Sequence, residues 1–266
     1  MNVTGKVVVV AGGGGGLGRA VATRFAADDA LLVVADIDGP AVHAVASDLG
    51  AVAIEADLGR EAGVLSAIDA ARQHHGRVDL YCAIAAFRDQ GALVDLSDDD
   101  WDASWRVNTM SHVWAARALL PEMLARGEGY FFFTLSTAAL TLAENMPMYS
   151  ATKRAALAFG EFLAVQYGGR GIKVSCFCPR GMRSEFFLEL SKHKPESARA
   201  IASAINLDEA ADIVSRSIEA EQFLVLTEDE EYASHQAKAA DYDTWIARQR
   251  AFVAGERAGE TTKVGP

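Results

Sequence analysis

The feature that most constrains this chain is a run of valines that leads directly into a run of glycines. Residues 7–10 are all valine, and an uninterrupted β-branched, apolar run is typical of a strand covered on both faces in a parallel sheet. Apolar residues then recur at helical spacing from Leu17 to Phe25, which predicts a helix that begins near Gly16. A strand, a glycine turn and an amphipathic helix in this order predict the start of an alternating α/β fold.

The glycine turn, residues 12–16, is the first candidate binding site because a helix begins where it ends. Unpaired N–H groups and the positive end of the helix dipole suit a pyrophosphate, and glycines let the backbone approach it closely. Five consecutive glycines also suit a mobile loop, but the position between a strand and a helix favours binding. The residues predicted to contact the cofactor here are Gly12, Gly14, Gly15, Gly16, Leu17 and Gly18.

An acid follows the second apolar run of the chain, residues 31–35. Asp36 lies 18 residues beyond Gly18, where a carboxylate at a strand end accepts hydrogen bonds from both hydroxyls of an adenosine ribose. The same carboxylate repels a 2′-phosphate, so the sequence favours NAD over NADP as the cofactor. Asp36 could instead be a solvated acid without a ligand, which is common at strand ends. Its place in a βαβ unit favours the ribose-binding interpretation.

Composition excludes several classes of protein. The 266 residues are 50% hydrophobic and carry a net charge of −11, which argues against nucleic acid or an anionic membrane as a partner. No apolar run approaches the roughly 20 residues that span a bilayer, and the first residues lack a signal-peptide pattern, so we expect a cytoplasmic protein. The three cysteines have no histidine at ligand spacing, which predicts no metal site, and an odd count fits a reducing compartment.

Strand and helix patterns alternate over most of the chain without a break in composition. We therefore expect a single Rossmann-type domain over residues 1–254, a doubly wound parallel sheet of about seven strands with helices on both faces. Residues 184–204 are predicted to form an amphipathic lid over the substrate, and residues 255–266 a poorly ordered polar tail. The predicted strands cover residues 7–10, 31–35, 51–55, 78–85, 130–135, 172–178 and 222–226, and the longer predicted helices cover 60–75, 98–126, 148–168 and 208–220.

Two polar residues stand one turn apart on the predicted helix 148–168. Tyr149 and Lys153 share a face of that helix because four residues make about one turn. A phenol ordinarily ionises near pH 10, but a nearby ammonium and an oxidised nicotinamide favour the phenolate. Tyr149 can then take the proton of an alcohol as hydride leaves the carbon. The pair alone also fits an exposed polar face, since this spacing often occurs by chance.

Two further residues strengthen the catalytic interpretation. Ser136 follows the fifth predicted strand, and the carboxyl ends of parallel strands line the ligand crevice, so its hydroxyl can hold a substrate oxygen near Tyr149. Asn108 lies inside the helix 98–126, where asparagine is a poor helix former, so we expect it to have a functional role, such as holding a water in a proton relay. Each residue taken alone is better explained by a structural role, but the four residues together, including Tyr149 and Lys153, favour a catalytic role.

With these motifs the sequence resembles the short-chain dehydrogenase/reductase family across about residues 5–226. The stretch from Ala11 to Gly18 resembles that family's Thr-Gly-x-x-x-Gly-x-Gly signature, with Ala11 in place of the threonine. Residues 149–153, Tyr-Ser-Ala-Thr-Lys, closely match its catalytic pentapeptide. The resemblance implies a Rossmann-type fold and oxidoreductase activity.

The resemblance also implies roles for single residues. Ser136, thirteen residues before Tyr149, aligns with the catalytic serine, with Thr137 as the second choice, and Asn108 aligns with the fourth catalytic residue. Lys153 would also bind the hydroxyls of the nicotinamide ribose. The remaining cofactor contacts that the resemblance implies are Ile37, Ala83, Ala85, Pro179, Met182, Ser184 and the pair Asp57-Leu58, whose acid would contact the adenine amino group.

Two segments depart from the family pattern. Residues 83–86, Ala-Ile-Ala-Ala, replace the usual Asn-Asn-Ala-Gly, whose amides brace the central sheet and the cofactor cleft. After the sixth strand, Pro179-Arg180 replaces Pro-Gly, and Arg183 adds a second cation. These two arginines either bind an acidic group of the substrate or balance the negative charge of the chain, and the sequence favours neither.

The sequence thus predicts an NAD-dependent dehydrogenase that interconverts a secondary alcohol and a ketone, with Tyr149 as general acid/base. The alternatives are an NADPH-dependent ketoreductase of acyl chains, which Asp36 opposes, and a non-catalytic redox sensor, which the catalytic residues oppose. The substrate is expected to be a mid-sized, partly apolar carbinol, and the resemblance implies a homotetramer or homodimer built through helices 98–126 and 148–168. The residues predicted to contact substrate are Ser136, Glu144, Met146, Tyr149, Arg180, Phe186 and Phe187.

Overall fold

The computed structural model describes residues 1–88, 92–143, 145–184 and 204–257 of the chain. Seven parallel strands form one sheet in the order β3-β2-β1-β4-β5-β6-β7, so the chain starts in the middle of the sheet and builds outward in both directions. This order confirms the predicted doubly wound sheet. The strands are β1 Val7–Ala11, β2 Leu31–Asp36, β3 Val52–Glu55, β4 Leu80–Ala83, β5 Gly129–Thr134, β6 Ile172–Phe177 and β7 Leu224–Val225.

The α-helices of the described residues are α1 Gly16–Ala27, α2 Gly39–Leu49, α3 Glu61–His75, α4 Asp98–Trp105, α5 Ser111–Arg126, α6 Pro147–Tyr167, α7 Leu207–Glu219, α8 Asp229–Ala240 and α9 Tyr242–Arg257. Helices cover both faces of the sheet, as predicted: α1, α2 and α7 pack on one face, and α3, α5 and α6 pack on the other. Within the described ranges, none of the helices combines the length and the apolar character needed to cross a bilayer.

The valines of β1 divide between the two faces of the sheet, as the alternation of strand side chains requires. Val8 and Val10 pack in the core beneath α1, α2 and α7, whereas Val7 and Val9 pack in the core beneath α3, α5 and α6. All four are buried. The central strand is therefore covered on both faces, and its carboxyl end places the glycine turn at one edge of the sheet.

The long helix predicted over residues 98–126 is interrupted. Helix α4 ends at Trp105, and a π-helical turn occupies Arg106–Met110 before α5 begins. Single π-helical turns are frequent at functional sites. This turn carries Asn108, so the predicted misfit of asparagine in a regular helix coincides with a local change of helix type.

Other boundaries differ from the predictions. Strand β4 is four residues long and begins at Leu80 rather than at residue 78. Helix α2, which the apolar pattern does not reveal, is capped by Asp38, whose side chain accepts from Ala41 N at 3.0 Å. Helix α9 continues to Arg257, so the first three residues of the predicted tail are helical. The rest of that tail and residues 185–203 of the predicted lid lie outside the described residues.

Candidate active site

Close contacts explain why Gly12, in the glycine turn, and Gly18, in the first turn of α1, must be glycine. Gly12 has a φ of +95°, and a Cβ there would overlap the backbone of Ala85. A Cβ on Gly18 would overlap the carbonyl oxygen of Gly12, so α1 can pack this closely only through a glycine. Gly15 and Gly16 differ, because a Cβ on either would meet no heavy atom within 4 Å. The turn is therefore closed toward the sheet and open on its outer side.

The open side of the turn fits the phosphates of a dinucleotide. Gly15 is the N-cap of α1 and has no side chain to pair with the first N–H groups of the helix. Leu17 is buried beneath the turn and anchors the first turn of α1 in the core. The N–H groups and the open space above Gly15 and Gly16 together form a cradle suited to an anion.

Asp36, at the end of β2, is oriented by the glycine turn itself. Its Oδ2 accepts a hydrogen bond from Gly14 N at 2.9 Å, and its Oδ1 accepts one from Asp38 N at 3.1 Å. The next residue, Ile37, is 69% exposed, which places an apolar surface beside the carboxylate. A ribose joined to a flat base has both the hydroxyls and the apolar face that this pair of side chains can bind.

The second acid predicted to contact adenosine is engaged by the protein. Asp57 Oδ1 accepts from Gly59 N at 2.9 Å, and its Oδ2 accepts from Arg60 Nε at 3.1 Å. Its neighbour Leu58 is buried in the core and can meet a cofactor only through its backbone. An adenine amino group would therefore share the Asp57 carboxylate with Gly59 and Arg60.

Backbone hydrogen bonds support the segment that departs from the family pattern. Ala11 O, at the end of β1, accepts from both Ile84 N at 2.8 Å and Ala85 N at 2.9 Å. Ile84 is buried in the core, where the family pattern has a polar asparagine. Further along the same loop, the N–H and the C=O of Phe87 are both bonded to the side chain of Asn108. The wall of the cleft after β4 is thus braced without the missing amides.

The side-chain amide of Asn108 is bonded to several protein groups. Its Nδ2 lies 2.8 Å from Phe87 O, 3.1 Å from Thr152 Oγ1 and 3.2 Å from Ser104 Oγ, so its two hydrogens already face three protein acceptors. The residue is fully buried. Asn108 therefore connects the loop after β4 to helix α6, which carries Thr152 next to Lys153.

Tyr149 and Lys153 lie on the buried side of α6, one turn apart as predicted. Tyr149 is buried and Lys153 is fully buried, and the Lys153 Nζ lies 5.5 Å from the centre of the Tyr149 ring. The Nζ also donates to Thr134 O at 2.8 Å. Burial, with a smaller contribution from the charge of Arg88, lowers the pKa of Lys153 to about 7. A negative neighbour such as a phenolate would stabilise this ammonium.

Ser136 lies just beyond β5, at the start of the short helical turn Thr137–Ala139 that packs against α6. Its Oγ accepts from Ala138 N at 3.2 Å, and a hydroxyl that accepts one bond keeps its own proton to donate. Thr137 N donates to Pro179 O at 3.1 Å, which ties this turn to the segment after β6. The predicted serine therefore lies on a turn that contacts the helix of Tyr149.

Arg88 is a residue of the site that the sequence motifs did not identify. It follows Phe87 in the loop after β4, and its guanidinium carbon lies 5.4 Å from the centre of the Tyr149 ring. Arg88 and Lys153 give this ring two described cationic neighbours. Loops at the carboxyl ends of central parallel strands line the ligand crevice. An arginine in the loop shortly after Ala83 is therefore the sequence feature that could have identified Arg88.

Arg180 is engaged by the C-terminal part of the chain. Its Nη1 lies 3.1 Å from Glu228 Oε2 and 3.9 Å from Glu230 Oε2, and its Nε lies 3.8 Å from Glu231 Oε1. Glu231 is buried, and burial raises its pKa to about 7. These ion pairs favour charge balance over substrate binding as the role of Arg180.

Backbone pairing joins the two ends of the predicted lid. Met182 forms a parallel β-bridge with Ile205, and Arg183 N donates to Ile205 O at 2.9 Å. The side-chain Nε of Arg183 also donates to Ala204 O at 3.0 Å. Ser184 N donates to Met182 O at 2.8 Å. Two of the predicted cofactor contacts, Met182 and Ser184, thus lie where the chain enters the lid.

The C-terminal helices support the loop after β5. Lys238, on α8, donates to Leu140 O at 2.8 Å and lies 4.9 Å from the Trp245 ring of α9. A cavity of about 580 Å³ opens between Leu142 and α9. Met146 is half-buried at the N-cap of α6, at the far end of this loop. Outside the described residues lie three predicted substrate contacts, Glu144, Phe186 and Phe187.

Comparisons with known proteins give the same fold. The family model for short chain dehydrogenases matches residues 6–195. The chain is 32% identical over 223 residues to oxidoreductase UcpA of Escherichia coli O157:H7, which covers 79% of this chain and 84% of that protein. A short chain dehydrogenase/reductase from Burkholderia phymatum, solved in complex with NAD, matches with a TM-score of 0.82 at 26% identity over 92% of this chain and 96% of that one. L-Sorbose reductase from Gluconobacter frateurii, solved with NADPH and L-sorbose, shares the fold with a TM-score of 0.76 at 23% identity, over 86% of this chain and 97% of that one.

The matched residues include the glycine turn, the loop after β4 and the helix of Tyr149 and Lys153, which are the parts of the molecule that meet at one edge of the sheet. The match extends over more than half of the chain. With the parallel sheet order and the open glycine turn, it places this chain in the short-chain dehydrogenase/reductase family of oxidoreductases.

Proposed function

We propose that this protein is an NAD-dependent oxidoreductase that interconverts a secondary alcohol and a ketone. The observation that carries the proposal is the buried pair of Tyr149 and Lys153 on one helix face, at the sheet edge where the glycine turn lies open. A bound nicotinamide dinucleotide supplies the hydride acceptor or donor. The protein supplies position, a proton-transfer group and an electrostatic field.

Each catalytic side chain has a task that its surroundings support. Ser136 donates a hydrogen bond to the substrate oxygen and holds it near the Tyr149 hydroxyl. Tyr149 takes the proton of the alcohol during oxidation and returns it to the ketone oxygen during reduction. Lys153 favours the phenolate by its charge and binds the ribose hydroxyls of the cofactor. Asn108 is a positioning residue, because it fixes the loop that brings Arg88 to the Tyr149 ring.

Asp36 supports NAD as the cofactor. Gly14 N and Asp38 N hold its carboxylate at the end of β2, where a 2′-phosphate would meet a negative charge. The two solved proteins differ in this respect, since one was solved with NAD and the other with NADPH. The choice of NAD therefore rests on Asp36, and an NADPH-dependent ketoreductase is the competing function.

Two measurements on the purified protein test the proposal. Titration with NAD and with NADP should give a dissociation constant that is about tenfold or more smaller for NAD. A panel of secondary alcohols, including cyclic and aryl carbinols, should contain at least one that produces NADH. Tighter binding of NADP would overturn the cofactor assignment. Tight NAD binding without turnover of any alcohol or ketone would favour the redox-sensor alternative.

We also propose that the protein forms a homotetramer or homodimer in the cytoplasm. Helix α6 exposes Phe162 and Val165, which are 52% and 86% accessible, and oligomer interfaces bury apolar surface of this kind. Cys82, Cys176 and Cys178 are free, buried thiols, which fits a reducing compartment. Light scattering that gives the mass of a monomer would contradict the oligomer.

A further inference from the structure

We propose that Arg88 determines substrate specificity by binding an anionic group, such as a carboxylate, on the substrate. This inference rests on the proposed function, because it names the substrate class of the same site. It starts from the position of the guanidinium, whose carbon lies 5.4 Å from the centre of the Tyr149 ring. An anion bound to Arg88 would therefore lie beside the side chain that handles the substrate proton.

The loop that carries Arg88 is held in place. Its neighbour Phe87 is bonded through both backbone groups to Asn108, at 2.8 Å in each case, and Asn108 also lies 3.1 Å from Thr152 Oγ1 on α6. Arg88 is itself half-buried, so its side chain lies against the protein instead of extending into solvent. A cation that is positioned before the ligand arrives loses less conformational entropy on binding, which favours selective recognition.

Three cations among the described residues near this edge of the sheet bind protein groups away from the Tyr149 ring. Arg180 is paired with three glutamates, and Arg154 and Lys238 donate to backbone carbonyl oxygens of the loop after β5. In the proposed function, the charge of Lys153 favours the phenolate of Tyr149. Since the chain carries a net charge of −11, an anionic substrate needs a local cation, and Arg88 is one that contacts the catalytic ring and takes no part in proton transfer.

A guanidinium suits this task because it has five N–H donors in one plane. Two parallel N–H groups of a guanidinium match the two oxygens of a carboxylate. The charge of Arg88 also lowers the pKa of Lys153 by repulsion. A bound anion would offset that repulsion, so substrate binding and protonation of Lys153 would favour each other.

The test compares substrates that differ only in charge. Wild-type protein and Arg88→Met are assayed with NAD and matched pairs, each a secondary 3-hydroxy acid and its methyl ester. Wild type should prefer the acid by about tenfold or more in kcat/KM, and Arg88→Met should lose about that factor on the acid, mainly through KM, with little change on the ester. Arg88→Lys should recover part of the preference. Arg117→Met removes an exposed arginine of α5 and should leave kcat/KM unchanged for both the acid and the ester.

A binding measurement separates failure of this inference from failure of the proposed function. Benzoate and benzamide are titrated into wild type and Arg88→Met by calorimetry, with and without NAD, so that no turnover is needed. Benzoate should bind wild type about tenfold more tightly than Arg88→Met, with benzamide unaffected by the substitution. Benzoate that does not bind, or binds both proteins equally, would overturn the inference, as would equal use of acid and ester by wild type.

Discussion

Asn108 and Phe87 are joined by two hydrogen bonds, one in each direction and both 2.8 Å long. The side-chain amide of Asn108 pairs with the backbone of Phe87 much as one strand residue pairs with another. Asn108 reaches this position from the π-helical turn Arg106–Met110. The pairing fixes the loop that brings Arg88 to the Tyr149 ring, so the asparagine acts on the site through the geometry of that loop.

Asn108→Ala should therefore reduce activity without removing a group that touches the substrate. The N–H and C=O of Phe87 would lose their partners, which should lower the free energy of unfolding by about 1–3 kcal/mol. We expect kcat/KM to fall by about tenfold to a hundredfold, because Arg88 and Tyr149 would no longer be held in place. Denaturant unfolding and steady-state kinetics measure the two effects.

A second variant distinguishes hydrogen bonding from volume at this position. Asn108→Asp keeps the size of the side chain and the acceptor for Phe87 N, but its second oxygen would face Phe87 O. It should lower kcat/KM and the free energy of unfolding by at least as much as Asn108→Ala does. Full activity and stability in Asn108→Asp would show that the two hydrogen bonds do not support the site.

Tyr149→Phe should nearly abolish turnover and leave the affinity for NAD almost unchanged, because only the hydroxyl that transfers the proton is removed. We expect kcat to fall by about a thousandfold, and fluorescence titration should give an NAD dissociation constant close to that of wild type. Tyr81→Phe is the matched control, since the Tyr81 hydroxyl is buried and has no hydrogen-bond partner among the described residues. Wild-type rates in Tyr149→Phe would refute the proton-transfer role.

Features that depend on neighbouring residues could be predicted from the sequence. Apolar valines on both faces of β1 predict a central strand, and Gly18 is required by its close approach to the carbonyl oxygen of Gly12, six residues earlier. The spacing of Tyr149 and Lys153 by one helical turn predicts their shared face. In each case a few consecutive residues determine the geometry, so local patterns are sufficient.

Contacts between distant segments could not be predicted in the same way. The partner of Arg180 is Glu228, 48 residues later, and the ion pair depends on where the C-terminal helices pack. The π-helical turn carries Asn108, whose hydrogen bonds reach Phe87, 21 residues earlier, so the role of this asparagine depends on a distant loop. The place of Arg88 depends on the path of that same loop, which neither composition nor periodicity determines.

Asp36→Ser should shift the cofactor preference toward NADP. The serine removes the charge that repels a 2′-phosphate, so NADP should bind about tenfold more tightly, and loss of the ribose hydrogen bonds should weaken NAD by a similar factor. Asp38→Ser is the control, because it removes a nearby charge while serine can still cap α2 by accepting from Ala41 N. An Asp36→Ser protein with the wild-type ratio of dissociation constants would reject the assignment.

The stability of the cofactor-free protein should rise with pH above neutrality because of Lys153. Burial and the charge of Arg88 lower its pKa in the folded state from 10.5 to about 7, so at higher pH the unfolded chain holds a proton that the folded chain has released. Linkage then adds up to about 1.4 kcal/mol per pH unit to the free energy of unfolding, until the unfolded chain also loses the proton. From pH 7 to pH 9, wild type should gain about 2 kcal/mol relative to Lys153→Met. A difference in the free energy of unfolding between the two proteins that stayed constant from pH 7 to pH 9 would contradict the lowered pKa of Lys153.

His112 should produce a loss of stability in acid. It is fully buried on α5 with its ring 4.5 Å from that of Phe133, and neither ring nitrogen has a partner among the described residues. Burial, with the charge of Lys153, lowers its pKa from 6.5 to about 3. The folded protein therefore keeps His112 neutral at pH values where the unfolded chain binds a proton, and the free energy of unfolding falls as the pH drops below 6.5.

His112→Leu should consequently make the protein more resistant to acid. At about 1.4 kcal/mol per pH unit, wild type should lose about 2 kcal/mol between pH 6.5 and pH 5 through this group, and the leucine variant should not. Because the variant also lacks two buried nitrogens without partners, it should be at least as stable as wild type at pH 7.5. Urea unfolding at pH 7.5 and pH 5 measures the difference, and His43→Gln, at an exposed position of α2, is the control. If His112→Leu and wild type lost stability in parallel, the folded state would have to admit a proton at His112, which its burial beside Phe133 and Lys153 opposes.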